Sequence, residues 1–218
     1  MIGDVLILKP FHEQVAKKMY RQISKLKRQK KIVVTIAGES GTGKSEIAHQ
    51  LRILLKLKGE KAKIFHLDNY YNTSPDERTE VRKKKGMDFV GDHEIVWEKV
   101  ETHIKAFRAG KKATIPFVDL YTNEKDFLIT SFKNAHVLII EGLYATKASA
   151  DLRFLIDLTY HDTKDQRVAR KKEKQNYFRG KVLEKEHEAV QSHRPLVDYF
   201  IKLDKEKNPI TSRLIKAK

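Results

Sequence analysis

The sequence predicts an α/β fold in three layers, a predominantly parallel sheet of about five strands with helices on both faces. Three observations predict it. Apolar, β-branched runs alternate with stretches of helical periodicity, the pattern that βαβ crossovers require. The run that closes at Ala37 leads into a glycine-rich turn and then an amphipathic stretch. Two acids, Asp68 and Glu141, directly follow apolar strand-like runs, at the strand ends where open parallel sheets bind ligands.

Taken in order, Phe11, Val15, Met19, Ile23 and Leu26 recur at helical spacing and predict an amphipathic helix over 10–30. Residues 31–37 are rich in Val and Ile and stop at Gly38, which reads as a buried strand. Ile47, Leu51, Leu54 and Leu55 mark a second helix, closed by Gly59. Residues 62–67 read as the next strand, and 69–91 as a polar connection. Val96, Val100, Ile104 and Phe107 then put a helix over 94–108. Strands are predicted over 114–118, 136–140 and 154–158, and two helical stretches, 163–178 and 181–203, close the chain. With 218 residues, a single domain spanning 1–218 is expected, carrying a helical extension at 1–30 that the stripe of apolar residues would pack on the core. The competing picture is a separate N-terminal helical module.

Composition narrows the function. Hydrophobic residues at 40% and charged residues at 34% exclude a mostly disordered chain. The longest apolar runs, such as 137–140, fall far short of the roughly 20 residues that cross a bilayer, so no membrane partner is expected. The N-terminus lacks a leading basic region and a small-residue cleavage site, so no secretory signal is expected. The absence of cysteine excludes disulfides, thiolate metal sites and cysteine nucleophiles, and fits a reducing, cytoplasmic location. Forty-five Lys and Arg against 29 Asp and Glu give a net charge of +16, a field that attracts phosphorylated molecules or nucleic acid. The excess concentrates in 17–31, with eight basic residues and no acid, and in 164–181, with eight against two. The first run reads most simply as a solvated helix face.

Gly38-Glu39-Ser40-Gly41-Thr42-Gly43-Lys44-Ser45 satisfies G-x-x-x-x-G-K-[ST] at every fixed position, and the strand before it and helix after it supply the context that motif needs. Such a P-loop curls its N–H groups around an anion, aims Lys44 at the β- and γ-phosphates and offers the Ser45 hydroxyl to Mg²⁺. The expected fold is therefore that of a P-loop NTPase, with ATP and Mg²⁺ as cofactors. The boxes of a guanine-specific switch and the tandem motif of a helicase are absent. Asp68 and Glu141 stand where a Walker B carboxylate holds metal, and two such acids allow one to hold metal while the other accepts a proton from a hydroxyl. Either alone could instead cap a turn.

His66-Leu-Asp68-Asn-Tyr-Tyr71, Ile115-Pro116 with Asp119, Ile139-Ile-Glu141-Gly142-Leu143, and Asp165-Gln-Arg167-Val-Ala-Arg170-Lys171 together resemble uridine kinase and its phosphoribulokinase-type relatives, over about residues 32–201. The resemblance implies a kinase that moves the γ-phosphoryl group of ATP to a hydroxyl of a small metabolite. It implies Asp68 as catalytic base and metal neighbour, Ser45 and Glu141 as aids to Mg²⁺, and Tyr71 at the acceptor site. It also matches Asp92 to an Asp that binds the acceptor's ribose, although Asp92 could equally be the N-cap of the helix at 94. The basic stretch becomes a lid segment over 162–181, with Arg167, Arg170, Lys171 and Lys174 closing on the phosphates, Arg179 on the acceptor side, and Lys181 beside them. Homo-oligomerisation is expected from the resemblance alone.

The departures concern the acceptor. Val118 and Asn123 replace a Tyr and a His that contact the pyrimidine base in the family, so uridine and cytidine are expected to be poor substrates. Lys171 and Lys174 replace lid arginines and lack their bidentate fork. The family's closing Ala-Asp-Ile-Ile-Ile strand has no counterpart in 208–215. Against the kinase stands a nucleotide-gated nucleic-acid-binding or regulatory protein that uses the net charge and the 17–31 helix; a nucleic-acid partner is not expected, because a charge-driven binder has no need of complete Mg²⁺-site chemistry.

Overall fold

The structure, a computed structural model, describes residues 3, 5–26, 30–170, 176–204 and 211–217. Strands β1 (Ile32–Ala37) and β2 (Ala62–His66) flank helix α2 (Lys44–Leu57), and helix α1 (Pro10–Ile23) precedes them. Helices α3 (Arg78–Lys85) and α4 (Trp97–Arg108) follow, then β3 (Lys112–Val118), β4 (Lys125–Ser131), β5 (Val137–Gly142) and β6 (Leu152–Ile156). Helices α5 (Lys164–Arg170) and α6 (Tyr177–Ser192) lead to β7 (Tyr199–Asp204) and β8 (Thr211–Lys216). The central sheet has the order β2-β5-β1-β6-β7-β8, parallel except for the last pair.

Strand alternation builds two cores, one on each face. Ile32, Val34, Ile36, Val137, Ile139, Phe154 and Ile156 face α1 and α2, where Val15, Met19, Ile23, Ile47, Leu51 and Leu55 meet them. Val33, Ala37, Leu138, Ile140 and Leu155 face the opposite layer, with Val100, Ile104 and Phe107 of α4 and Val190 of α6. Each such fully buried side chain stabilises the fold by about 1.5–3 kcal/mol relative to exposure. All six residues of β1 and of β5 are buried, which explains why they read as continuous apolar runs.

Several expectations need correction. The strand at 114–118 is not in the central sheet: β3 pairs antiparallel with β4 in a separate ribbon. Pro116 cannot donate to a ladder, which suits this ribbon and not an interior strand. The fifth parallel strand is instead β7, inside the stretch predicted helical to 203. Helix α6 stops at Ser192, and a 3₁₀ turn over Arg194–Leu196 holds Pro195, which cannot continue a helix. The closing strand that looked absent from 208–215 thus directly follows Asp198, and β8 adds an antiparallel edge. The first helix ends at Ile23, followed by a 3₁₀ turn to Leu26. The polar connection contains α3. Among the described residues, no helix is long and apolar enough to cross a membrane.

Candidate active site

The turn of residues 38–43 leaves β1 and hands over to α2, whose N-cap is Gly43 at φ 90. Both Gly41 (φ 83) and Gly43 hold left-handed backbone, and neither has room for a side chain. A Cβ on Gly43 would meet His12 Nε2 at 2.8 Å, and one on Gly41 would meet Arg167 Cγ at 2.9 Å. Thr42 Oγ1 donates to the Glu39 carbonyl at 2.8 Å and Lys44 Nζ to the same carbonyl at 3.0 Å. Thr163, just before α5, donates its hydroxyl to the Ser40 carbonyl at 2.7 Å. The loop is therefore curled, pinned from both sides, and followed by a helix N-terminus, the geometry of an anion cradle.

Parallel pairing of β2 with β5 sets His66 beside Glu141. Glu141 is 5% exposed; its Oε1 accepts the Ser45 hydroxyl at 3.2 Å and lies 2.6 Å from His66 Nδ1. Burial alone would raise the Glu141 pKa. The His66 hydrogen bond and charge, the Lys44 charge and the Ser45 hydroxyl outweigh it and hold the carboxyl below its ordinary range. An ionised carboxylate joined to a hydroxyl at the first turn of the P-loop helix is a donor set for Mg²⁺, which takes few protein ligands and shares the rest with phosphate and water. No cluster of three or more His, Asp or Glu able to cage a metal occurs among the described residues.

Asp68 follows β2 on a 3₁₀ turn over Leu67–Tyr70, half-buried, two residues beyond His66. Tyr71 is buried next to it: burial first, and then the Asp68 charge, push the phenol pKa up. A bridge from Tyr71 to Ile95 brings the start of α4 alongside. Asp92 caps neither turn nor helix with its side chain. Its Oδ2 accepts from Lys147 Nζ at 2.8 Å and lies 2.9 Å from His193 Nε2. Burial works to raise its pKa, and these two partners overcome that and lower it. The N-cap role is thereby removed.

Of the basic segment, Arg167 lies against the P-loop at Gly41 and donates to the Thr163 hydroxyl at 2.9 Å and to the Tyr160 carbonyl. With His161, Lys164 and Asn176 it borders a cleft of about 380 Å³. Arg179 instead pairs with Glu186 at 3.1 Å. Lys181 pairs with Glu184 on the surface. Lys171, Lys174 and the side chain of Arg170 lie outside the described residues. Val118 is fully buried with its N–H on Asn69 Oδ1 at 3.1 Å. Asn123 occupies the exposed β3–β4 turn at φ 59, a left-handed position that favours Asn.

Sequence reasoning missed three features. His66 comes beside Glu141 through the register of β2 with β5, which is offset by two from an acid-to-acid alignment and which no local pattern fixes. Glu39 is expected only as part of the ATP-binding loop, and the tie made by its side chain is not: the buried carboxylate accepts the Tyr160 N–H at 2.6 Å and engages His187 at 2.7 Å and Gln191 at 3.1 Å. The third is a buried network in which Arg82 grips Glu94 with two bonds of 2.8 Å and reaches Glu186 at 3.2 Å. Nothing in the local pattern of α3 distinguishes Arg82 from its basic neighbours.

Comparison with known proteins gives a consistent picture. A family model described as phosphoribulokinase / uridine kinase matches residues 33–212. A uridine kinase of Macrococcus caseolyticus (strain JCSC5402) is 30% identical over 159 residues, 71% of this chain and 74% of its own. One of Staphylococcus aureus (strain JH9) is 26% identical over 174 residues, 78% of this chain and 81% of its own. In fold, the phosphoribulokinase of Rhodobacter spheroides superposes with a TM-score of 0.60 at 15% identity, over 80% of this chain and 71% of that one. A structure described as a possible uridine kinase from Bacillus stearothermophilus gives 0.55 at 17% identity, over 71% and 89%.

Proposed function

The chain belongs to the phosphoribulokinase / uridine kinase family and is a phosphotransferase acting on a hydroxyl group, and from that premise we propose that it phosphorylates a small metabolite at the expense of ATP, with Mg²⁺. The observation that carries this reading is the Ser45–Glu141 link, which joins the P-loop helix to the end of β5 one strand away from Asp68. ATP supplies the transferable phosphoryl group, and Mg²⁺ offsets its negative charge when bound. Lys44 and the N–H groups of residues 41–45 bind phosphate, and Ser45, Glu141 and Asp68 hold the metal. Asp68 accepts the proton of the acceptor hydroxyl. Tyr71 and Asp92 border the acceptor, with Arg179 behind them through Glu186. Arg167, Arg170, Lys171 and Lys174 bring positive charge over the phosphates. In this reading 1–218 is one kinase domain, with 1–30 as a helical extension and 162–181 as the lid.

Uridine and cytidine are expected to be weak acceptors. Val118 has neither a phenol hydroxyl nor an aromatic face and is fully buried, and Asn123 serves a turn at the ribbon's exposed tip. A nucleic-acid partner forms no part of this reading, which needs only the small-metabolite chemistry that family membership supports. The test is a metabolite-panel phosphorylation screen with mass-spectrometric detection, run beside Asp68→Asn and Lys44→Ala. Asp68→Asn should keep ATP affinity and lose about 10²–10⁴ in turnover. Lys44→Ala should weaken ATP binding and turnover together. A folded Asp68→Asn protein with wild-type turnover would remove Asp68 from the base role, and an unchanged ATP affinity and rate in Lys44→Ala would remove the cradle.

A further inference from the structure

Arg78 opens α3, and its guanidinium lies over the ring of Tyr71, with Cζ 3.7 Å from the ring centroid. Its Nε is shielded from solvent, and no group among the described residues accepts a hydrogen bond from it. That is unlike Arg82 one turn later, which fills its donors with Glu94 and Glu186. The cation–π contact uses the face of the guanidinium and leaves its edge donors in the ring plane unspent. On the same residue, Lys125 from the start of β4 donates Nζ to the Tyr71 carbonyl at 2.5 Å.

Among the described residues, no carboxylate forms an ion pair or side-chain hydrogen bond with Arg78 or Lys125. The Lys125 ammonium is held below its ordinary pKa first by burial, then by the charges of Arg78 and of Lys99 in the first turn of α4. Both Arg78 and Lys99 thus act on Lys125. The adjoining buried network is already balanced, with Arg82 and Arg179 facing Glu94 and Glu186. Asp68 acts on Tyr71 as well, but the reaction needs its carboxylate for the hydroxyl and the metal. A cluster of positive charge with an unspent guanidinium edge, beside a base, is a seat for an oxyanion.

We propose that Arg78 and Lys125, with Lys99 behind them, bind an anionic group of the acceptor, a carboxylate or a phosphate monoester, while the acceptor's hydroxyl addresses Asp68. The substrate class is then a compact hydroxy acid or sugar phosphate and not a neutral nucleoside. Naming it an acceptor rests on the kinase reading; the anion seat itself does not.

The test uses the full chain and its Arg78→Gln, Arg78→Lys and Lys125→Gln variants, each checked for wild-type circular dichroism. Steady-state kinetics compare ribose 5-phosphate with ribose, and glycerate with glycerol, so that the first pair reads phosphate and the second carboxylate. Calorimetry measures binding of the same four compounds without ATP. For the preferred anion, kcat/KM should exceed that of its neutral partner at least about tenfold, and Arg78→Gln and Lys125→Gln should raise its KM and Kd about ten- to a hundredfold. The KM for ATP should stay unchanged, and Arg78→Lys should recover part of the loss. Equal efficiency for charged and neutral partners overturns the proposal and leaves the kinase reading intact. Absence of any phosphorylation together with anion binding lost in Arg78→Gln upholds the seat and counts against the kinase reading. Anion binding absent from the wild type, or unchanged in Arg78→Gln, overturns the seat.

Discussion

At Glu39 one residue ties three segments together. Its carboxylate accepts the Tyr160 N–H and engages His187 and Gln191 of α6, while its carbonyl accepts from Thr42 and Lys44 inside the loop. The carboxylate is 2% exposed at residue level, so its partners have little water to fall back on. Glu39→Leu should leave the Tyr160 N–H unpaired and destabilise the protein by on the order of 2–3 kcal/mol in urea unfolding. Because the same group holds α6 against the P-loop, the KM for ATP should rise as well. Glu39→Gln, which keeps an acceptor oxygen, should lose less on both counts. Wild-type stability in a folded Glu39→Leu protein would show that the tie contributes nothing. The motif at 38–45 was legible because its fixed positions are dictated by backbone curvature and phosphate chemistry. Glu39 was not, since its role depends on α6, about 150 residues later, and no local pattern encodes that contact.

Among the elements, α1 was the easiest to read. Phe11, Val15, Met19 and Ile23 repeat at helical spacing and are all buried, the last three against α2 and the sheet. Its influence extends past packing, because His12 occupies the space that a side chain on Gly43 would need. Met19 is fully buried, and Met19→Ala should cost about 2–5 kcal/mol through lost transfer energy and the cavity left behind. Thermal unfolding of that variant checks it, and an unshifted midpoint would mean that the helix packs without stabilising. The β-elements were harder to read, for two physical reasons. In β4, Phe127, Leu128 and Ile129 stand in a row and all are exposed, so the period-two signal of a half-buried strand is missing. Around the start of β7, Val197, Phe200 and Ile201 sit at spacings that also suit a helix, and the pairings with β6, formed across the whole of α5 and α6, and with β8 decide for a strand. Pro195, in the 3₁₀ turn after α6, marks where the helix has to break.

On the scale of the whole molecule, a chain of net charge +16 depends on its buried carboxylates staying ionised. Burial opposes ionisation at Glu141, Glu186 and Asp92. At Glu186 the Arg179 and Arg82 charges overcome it; at Glu141 His66, Lys44 and Ser45 do; at Asp92 Lys147 and His193 do. All three pKa values therefore lie below those of the unfolded chain. For a depressed carboxyl the unfolded state binds more protons, so its stabilisation is complete above the unfolded pKa, about pH 4–4.5, and is lost as pH falls through the folded value. His103, in contact with the Tyr70 hydroxyl at 3.0 Å, adds an earlier step. Burial, and then the charge of Lys99, lower its pKa, so the unfolded state takes up its proton first, from about pH 6.5 downward. Urea midpoints should accordingly be level near neutrality, decline gently below about pH 6.5 and fall steeply below about pH 4.5. Arg82→Met strips Glu186 and Glu94 of a shared partner, and breaking a buried ion pair of this kind costs about 3–5 kcal/mol at neutral pH. With Arg82 gone, the Glu186 pKa moves up toward its unfolded value, and the acid limb of that variant should be shallower than the wild type's. A wild-type midpoint unchanged from pH 6 to pH 3.5, or parallel acid limbs in the two proteins, would show that these carboxylates do not couple folding to protons.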